Sequence, residues 1–90
     1  MIMQGERIYP DEKGNIKISN MPPGSFGKPT NMEHPEFTRR WIVVAPDNSA
    51  CTISPEIHRI TEHEDGTITL YPSLVTSTWH GWLQNGIFSW

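Results

Sequence analysis

Apolar and polar positions alternate with period two in several short stretches, and almost nowhere with the 3.6-residue period of a helix. The clearest run is Arg39-Arg40-Trp41-Ile42-Val43-Val44-Ala45, which is β-branched, aromatic and ended by Pro46. Asp47-Asn48-Ser49 reads as a turn, and Ala50-Cys51-Thr52-Ile53 as the returning strand. Ile57 to His63 alternates in part. Glu64-Asp65-Gly66 then reads as a hairpin turn, because Asp-Gly suits the type I′ geometry that matches strand twist. Thr67 to Tyr71 alternates again, with Ile68 and Leu70 on one face. Pro72-Ser73-Leu74-Val75 leads into a Thr/Ser-rich loop. Trp79–Leu83 and Ile87–Trp90 are strands joined by Gln84-Asn85-Gly86, where Asn-Gly is a strong hairpin signal.

The first third is weaker. Met1 to Ile8 predicts one short strand, and Pro10 to Asn15 a turn cluster. Ile16-Lys17-Ile18 alternates and predicts the second arm of a hairpin. Met21 to Pro29 predicts a loop, since its prolines remove donors and its glycines admit positive φ. Asn31 to Phe37 predicts one helical turn capped by Asn31. The expected fold is all-β or β-rich: six to eight short strands in a small meander, forming an open barrel or sandwich. Residues 1–90 form a single domain, with a loop-rich segment over 1–38 and a β-rich core over 39–90.

Composition narrows this further. Ninety residues bury roughly 60–65% of their surface on folding, so the core is small. With eight prolines and seven glycines, turns are favoured over long helices. A net charge of −3 gives no clustered basic face, so nucleic acid is not an expected partner. No apolar run reaches the length of a membrane span, and no signal-peptide apolar region is visible, so the expected location is the cytoplasm. Cys51 is the only cysteine, which excludes an intrachain disulfide and a Cys-based zinc cluster. Between Ala50 and Thr52 it reads as a small buried hydrophobe rather than a nucleophile.

Three constellations carry candidate chemistry. Ser73 and His80 are the first. A serine hydroxyl is a weak nucleophile until an imidazole takes its proton. Pro72 fixes the backbone before Ser73, and His80 sits between two tryptophans, Trp79 and Trp82, at the start of a paired strand. His58 is a candidate third member, lying beside His80 to orient it. Glu56, Glu62, Glu64 and Asp65 are alternatives for that role, and nothing in the sequence selects among them. Backbone N–H groups at Leu74 or Val75 are candidate oxyanion donors. The second constellation is a metal set of His58, His63 and His80 with Glu62 or Asp65. In a regular strand His58 and His63 face opposite sides, so that set needs a bulge. The third is an aromatic surface of Trp79, Trp82 and Trp90, although at least two of the tryptophans are needed inside so small a core. Trp79 and Trp82 face opposite sides of a strict strand, so one of them is expected to be exposed.

Across residues 57–90 the chain resembles the BubE-type family, small proteins of bacterial ubiquitin-like conjugation operons and of phages. The resemblance rests on three pieces in order: His58-Arg59-Ile60, then Asp65-Gly66-Thr67-Ile68-Thr69-Leu70-Tyr71-Pro72-Ser73-Leu74, then Trp79-His80-Gly81-Trp82-Leu83-Gln84-Asn85-Gly86. It implies a β-rich fold and a serine-peptidase role on ubiquitin-like proteins or their conjugates; no cofactor or metal is expected for that role. Ser73 would be the nucleophile, His80 the general base and His58 the assisting residue. The chain departs from the family pattern twice. The Cys-rich step before the first histidine is replaced by Thr52-Ile53-Ser54-Pro55-Glu56-Ile57, and the cysteine before the second histidine is Trp79. The resemblance leaves two other readings open: a non-catalytic bacterial or phage protein-binding accessory module with an aromatic surface, and a His-based metal-binding domain.

Overall fold

The computed structural model describes residues 1–31 and 40–90. Among these residues ten strands and one 3₁₀ turn follow in order: β1 Ile2–Gln4, β2 Glu6–Ile8, the 3₁₀ turn Ile18–Asn20, β3 Ser25–Gly27, β4 Trp41–Val44, β5 Ala50–Ile53, β6 Arg59–Glu62, β7 Ile68–Tyr71, β8 Leu74–Val75, β9 His80–Gln84 and β10 Ile87–Ser89. They form two four-stranded sheets, β1-β10-β9-β8 and β2-β3-β4-β5, and the β6-β7 hairpin. The fold is β-rich, as the alternation predicts, and none of the sheets closes into a barrel.

Strand β4 is buried on both faces. Trp41 and Val43 enter the main core, while Ile42 and Val44 pack with Met21, Ile8 and Ile16. A strand covered on both sides reads as an unbroken apolar run, which is how Trp41-Ile42-Val43-Val44 stands out in the sequence. The main core gathers Phe26, Ile53, Ile68, Leu70, Leu74, Leu83 and Phe88, each at most 1% exposed, around Trp41 and Trp79. These side chains come from β3, β5, β7, β8, β9 and β10, so one core joins all three sheets.

The N-terminal third differs from expectation in three places. Met1 to Ile8 is two strands, because the chain breaks at Gly5, whose N–H donates to the Gly86 carbonyl at 2.7 Å. A Cβ at Gly5 would lie 2.4 Å from that oxygen, so only glycine fits. β1 then pairs with β10, and β2 runs parallel to β3 in the other sheet. Ser25-Phe26-Gly27 is a fully buried strand rather than a loop. Pro22, Pro23 and Pro29 all lie outside its three residues, so no needed donor is lost. Ile16 to Ile18 does not return as a hairpin arm. The turn at Asp11–Asn15 closes on itself and Gly14 instead accepts the N–H groups of Thr30 and Asn31. The helical turn expected over 31–37 lies, beyond Asn31, outside the described residues.

Two hairpin turns decide registers near the site. Asn85 and Gly86 both have positive φ, +50° and +74°, the type I′ pair expected of Asn-Gly. At Glu64-Asp65-Gly66 only Gly66 is left-handed, at φ +86°. The His63 N–H donates to Thr67 O and the Gly66 N–H to His63 O. That is a type I turn closed by a glycine bulge, not type I′. Asp65 accepts from the Thr67 N–H and hydroxyl, which favours the longer loop.

Gly81, beside His80 in β9, has no room for a side chain. A Cβ there would meet Ser89 O at 2.4 Å and the Trp79 ring at 2.5 Å. Gly81→Ala is expected to destabilise by about 1–3 kcal/mol through overpacking. In a domain of this size that lowers Tm by several degrees, roughly 4–8 °C per kcal/mol, in a thermal melt.

Candidate active site

The Asn85-Gly86 turn fixes the site's register. In a two-residue hairpin the flanking residues Gln84 and Ile87 exchange hydrogen bonds, and along an antiparallel strand the bonding side alternates residue by residue. Gly81 therefore turns its N–H and C=O away from β10, toward β8, where it pairs with Leu74. Val75 pairs with His80, and its own N–H and C=O point away from β9. Extended by one residue, the same register sets Ser73 across from Trp82 and diagonal to His80. Side chains opposite or diagonal in an antiparallel pair share a face. Ser73, Val75, His80 and Trp82 thus project on one side of the β8–β9 hairpin, while Leu74 and Leu83 enter the core.

The geometry follows. His80 Nε2 lies 3.0 Å from Ser73 Oγ. For the serine hydroxyl to donate there, Nε2 must carry the lone pair and Nδ1 the proton. Ser73 is half-buried and His80 exposed, so the pair is open to an incoming molecule. The Trp82 ring sits 5.7 Å from the His80 ring, centroid to centroid, tilted by 34°. An aromatic contact of that kind is worth about 0.5–1.5 kcal/mol and restrains the imidazole. The Tyr71–Pro72 peptide before Ser73 is cis.

His58 reaches Ser73 differently from the expected arrangement. Its Nε2 lies 3.3 Å from the Ser73 carbonyl oxygen, and it makes no hydrogen bond to His80. The physical reason is its position. His58 precedes β6, at the end of a turn in which Ser54 O accepts the N–H groups of Ile57 and His58. From there it meets the outward-facing carbonyl of Ser73 and ties the backbone under the hydroxyl.

No carboxylate among the described residues is hydrogen-bonded to His80. Ser54 Oγ donates to the Glu56 carboxylate, and that bond holds the Glu56 carboxyl below its usual range. Glu62 pairs with Arg7 at 3.0 Å. Asp65 is held below its usual range chiefly by the Thr67 hydroxyl. Of the two proposed oxyanion amides, the alternation turns Leu74 N–H to Gly81, leaving Val75 N–H facing outward.

The metal set does not assemble. His63 Nε2 is 2.6 Å from Thr69 Oγ1, and among the described residues no three His, Cys, Asp or Glu side chains converge. Cys51 packs against the main core, and burial pushes its thiol up, which disfavours the thiolate. Of the tryptophans, Trp41 and Trp79 are core residues, 3% and 8% exposed, while Trp82 and Trp90 are 45% and 40% exposed.

A brace escapes the sequence reading. Asp47 Oδ2 accepts from Thr78 Oγ1 at 2.6 Å, and Ser49 Oγ lies 2.6 Å from Thr76 Oγ1. These bonds dock the turn of the β8–β9 hairpin on the β4–β5 turn and hold the Ser73–His80 scaffold in place. The available signal is the pair of Asp-x-Ser and Thr-x-Thr steps at 47–49 and 76–78, which the sequence reading treats as ordinary turn residues.

No family model, curated protein or solved structure matches this chain. Among the described residues no helix is long and apolar enough to cross a membrane.

Proposed function

We propose that the protein is a small serine hydrolase of peptidase type. The observation that carries this reading is the 3.0 Å contact between Ser73 Oγ and His80 Nε2. That is hydrogen-bond reach for a nucleophile and its general base. As Ser73 Oγ bonds to the substrate carbonyl carbon, its proton passes to His80 Nε2 and the carbonyl oxygen becomes an oxyanion. The outward N–H of Val75 is the candidate donor to that charge. Collapse breaks the C–N bond, and His80 returns the proton to the leaving amine. Water, deprotonated by the same imidazole, then releases the acyl group from Ser73. His58 acts as a positioning residue through the Ser73 carbonyl.

The resemblance over residues 57–90 suggests a ubiquitin-like protein or its conjugate as substrate, in a bacterial cytoplasm and encoded by a host or phage. Exposed Trp82 and Trp90 favour a second reading, a non-catalytic module that binds a partner through an aromatic surface. The two separate on covalent labelling. A fluorophosphonate is expected to modify the wild type at Ser73, mapped by mass spectrometry, and to leave Ser73→Ala unmodified. A folded wild type that takes no label rules the hydrolase out and leaves the binding module.

A further inference from the structure

The surroundings of the dyad carry information about what it would accept. Two large apolar side chains stand in solvent beside it, and two more are exposed close in sequence to Ser73 or to His58. Val75 is paired with His80, and Trp82 lies against the His80 ring. Tyr71 is two residues before Ser73, and Ile57 adjoins the His58 that holds the Ser73 carbonyl. Their exposures are 61%, 45%, 71% and 71%. Isolated exposed apolar residues are ordinary, but Val75 and Trp82 both flank His80 directly, which makes an apolar contact surface at the dyad. The residues that share the dyad's face on β8 and β9, Val75, Trp82 and Gln84, carry no formal charge. Among the described residues of β8 and β9, His80 is the one group on that face able to carry a positive charge.

The main chain adds a second constraint. Among the described residues β8 is an outer strand, paired with β9 alone, and His58 meets its edge at the Ser73 carbonyl. The alternation that turns Leu74 toward β9 turns the carbonyl of Val75 outward, two residues past the nucleophile. An extended peptide beside that edge donates an N–H to the Val75 carbonyl while its alternate side chains fall on the apolar rim. Main-chain bonds supply affinity and the alternate side chains supply selectivity. A fatty acyl chain would use the rim but not the outward carbonyl.

Resting on the serine hydrolase reading, we infer that the Ser73–His80 site accepts an extended peptide whose residues flanking the reacting carbonyl are bulky and apolar, seated on Trp82 and Val75.

The test uses full-length Ser73→Ala, which keeps the rim and cannot form an acyl adduct. Amide and indole NMR shifts are followed during titration with blocked heptapeptides. One series has Leu or Phe at the two central positions, a second has Ser or Gln there, and a third is the Leu/Phe series N-methylated at alternate residues. Phospholipid vesicles and a fatty acyl surfactant form separate arms. The Leu/Phe series is expected to shift Val75, His80 and the Trp82 indole, and to bind at least about tenfold tighter than the Ser/Gln series, a difference near 1.4 kcal/mol. N-methylation is expected to weaken it, and so is Trp82→Gln, whose side chain is at the surface. Equal binding of the first two series overturns the inference, as does a response confined to vesicles or surfactant. Fluorophosphonate labelling of the wild type keeps the two claims separable. Labelling without peptide preference leaves the hydrolase and removes the apolar peptide. Preference without labelling leaves the docking surface and removes the chemistry.

Discussion

Truncating Phe88 to alanine is expected to cost about 3–5 kcal/mol, the range for removing a fully enclosed phenylalanine. Phe88 is 0% exposed and lies on β10 between Met3 of β1 and Leu83 of β9. Its ring meets Trp79 edge-on at 6.0 Å, a contact that alone contributes about 0.5–1.5 kcal/mol. β10 is also the strand through which β1 joins its sheet, so the cavity opens where that sheet is held together. A domain of this kind has only about 5–15 kcal/mol of stability, and one of ninety residues belongs near the lower end. In urea the midpoint is expected to fall by more than about 1 M at unchanged slope, since slopes for small proteins are about 1–3 kcal/mol/M. Phe88→Leu keeps most of the volume and should lose far less. A Phe88→Ala change below about 1 kcal/mol would mean that this core is not closed as described.

The same core shows how much of the molecule the sequence reveals. Where an element carries its own signal it is legible. Trp41–Val44 is an unbroken apolar run because β4 is covered on both faces. Asn85-Gly86 specifies a type I′ turn by the chemistry of its two residues. Trp79 and Trp82 alternate between core and solvent, as period two requires. What is not legible depends on distant partners. Ser25–Gly27 contains one apolar residue and becomes a strand only because β2 and β4 flank it. Gly5 ends β1 because Gly86 O comes within 2.7 Å of its N–H, across 81 residues of chain.

At the site the distinction is sharper. Ser73 and His80 belong to one local hairpin, so seven residues and a two-residue turn suffice to bring them together. His58 comes from the turn before β6, and its target, a backbone carbonyl, leaves no mark on the sequence. The brace from Asp47 and Ser49 joins side chains of two separate turns, each of which reads on its own as an ordinary turn. That the Val75 N–H rather than the Leu74 N–H faces outward emerges only once the β8–β9 register is known.

Replacing His80 with glutamine is expected to have the largest effect on chemistry. Glutamine fits an exposed strand position and its amide can still hydrogen-bond Ser73 Oγ, but it cannot take a proton at neutral pH. Stability should therefore fall by no more than about 1.5 kcal/mol, the lost ring contact with Trp82 being the main change. Reactivity should fall by about 10²–10⁴, the contribution typical of a positioned general base. Trp82, Val75 and His58 remain, so binding and backbone geometry persist while proton transfer is lost.

The most direct measurement is the second-order rate of fluorophosphonate modification at Ser73, followed by intact mass, in the wild type and in His80→Gln under identical conditions. An active Ser73–His80 dyad predicts stoichiometric labelling of the wild type at Ser73 and a rate at least about a hundredfold lower in the variant. Equal rates in the two proteins would contradict it, as would a label on any other residue.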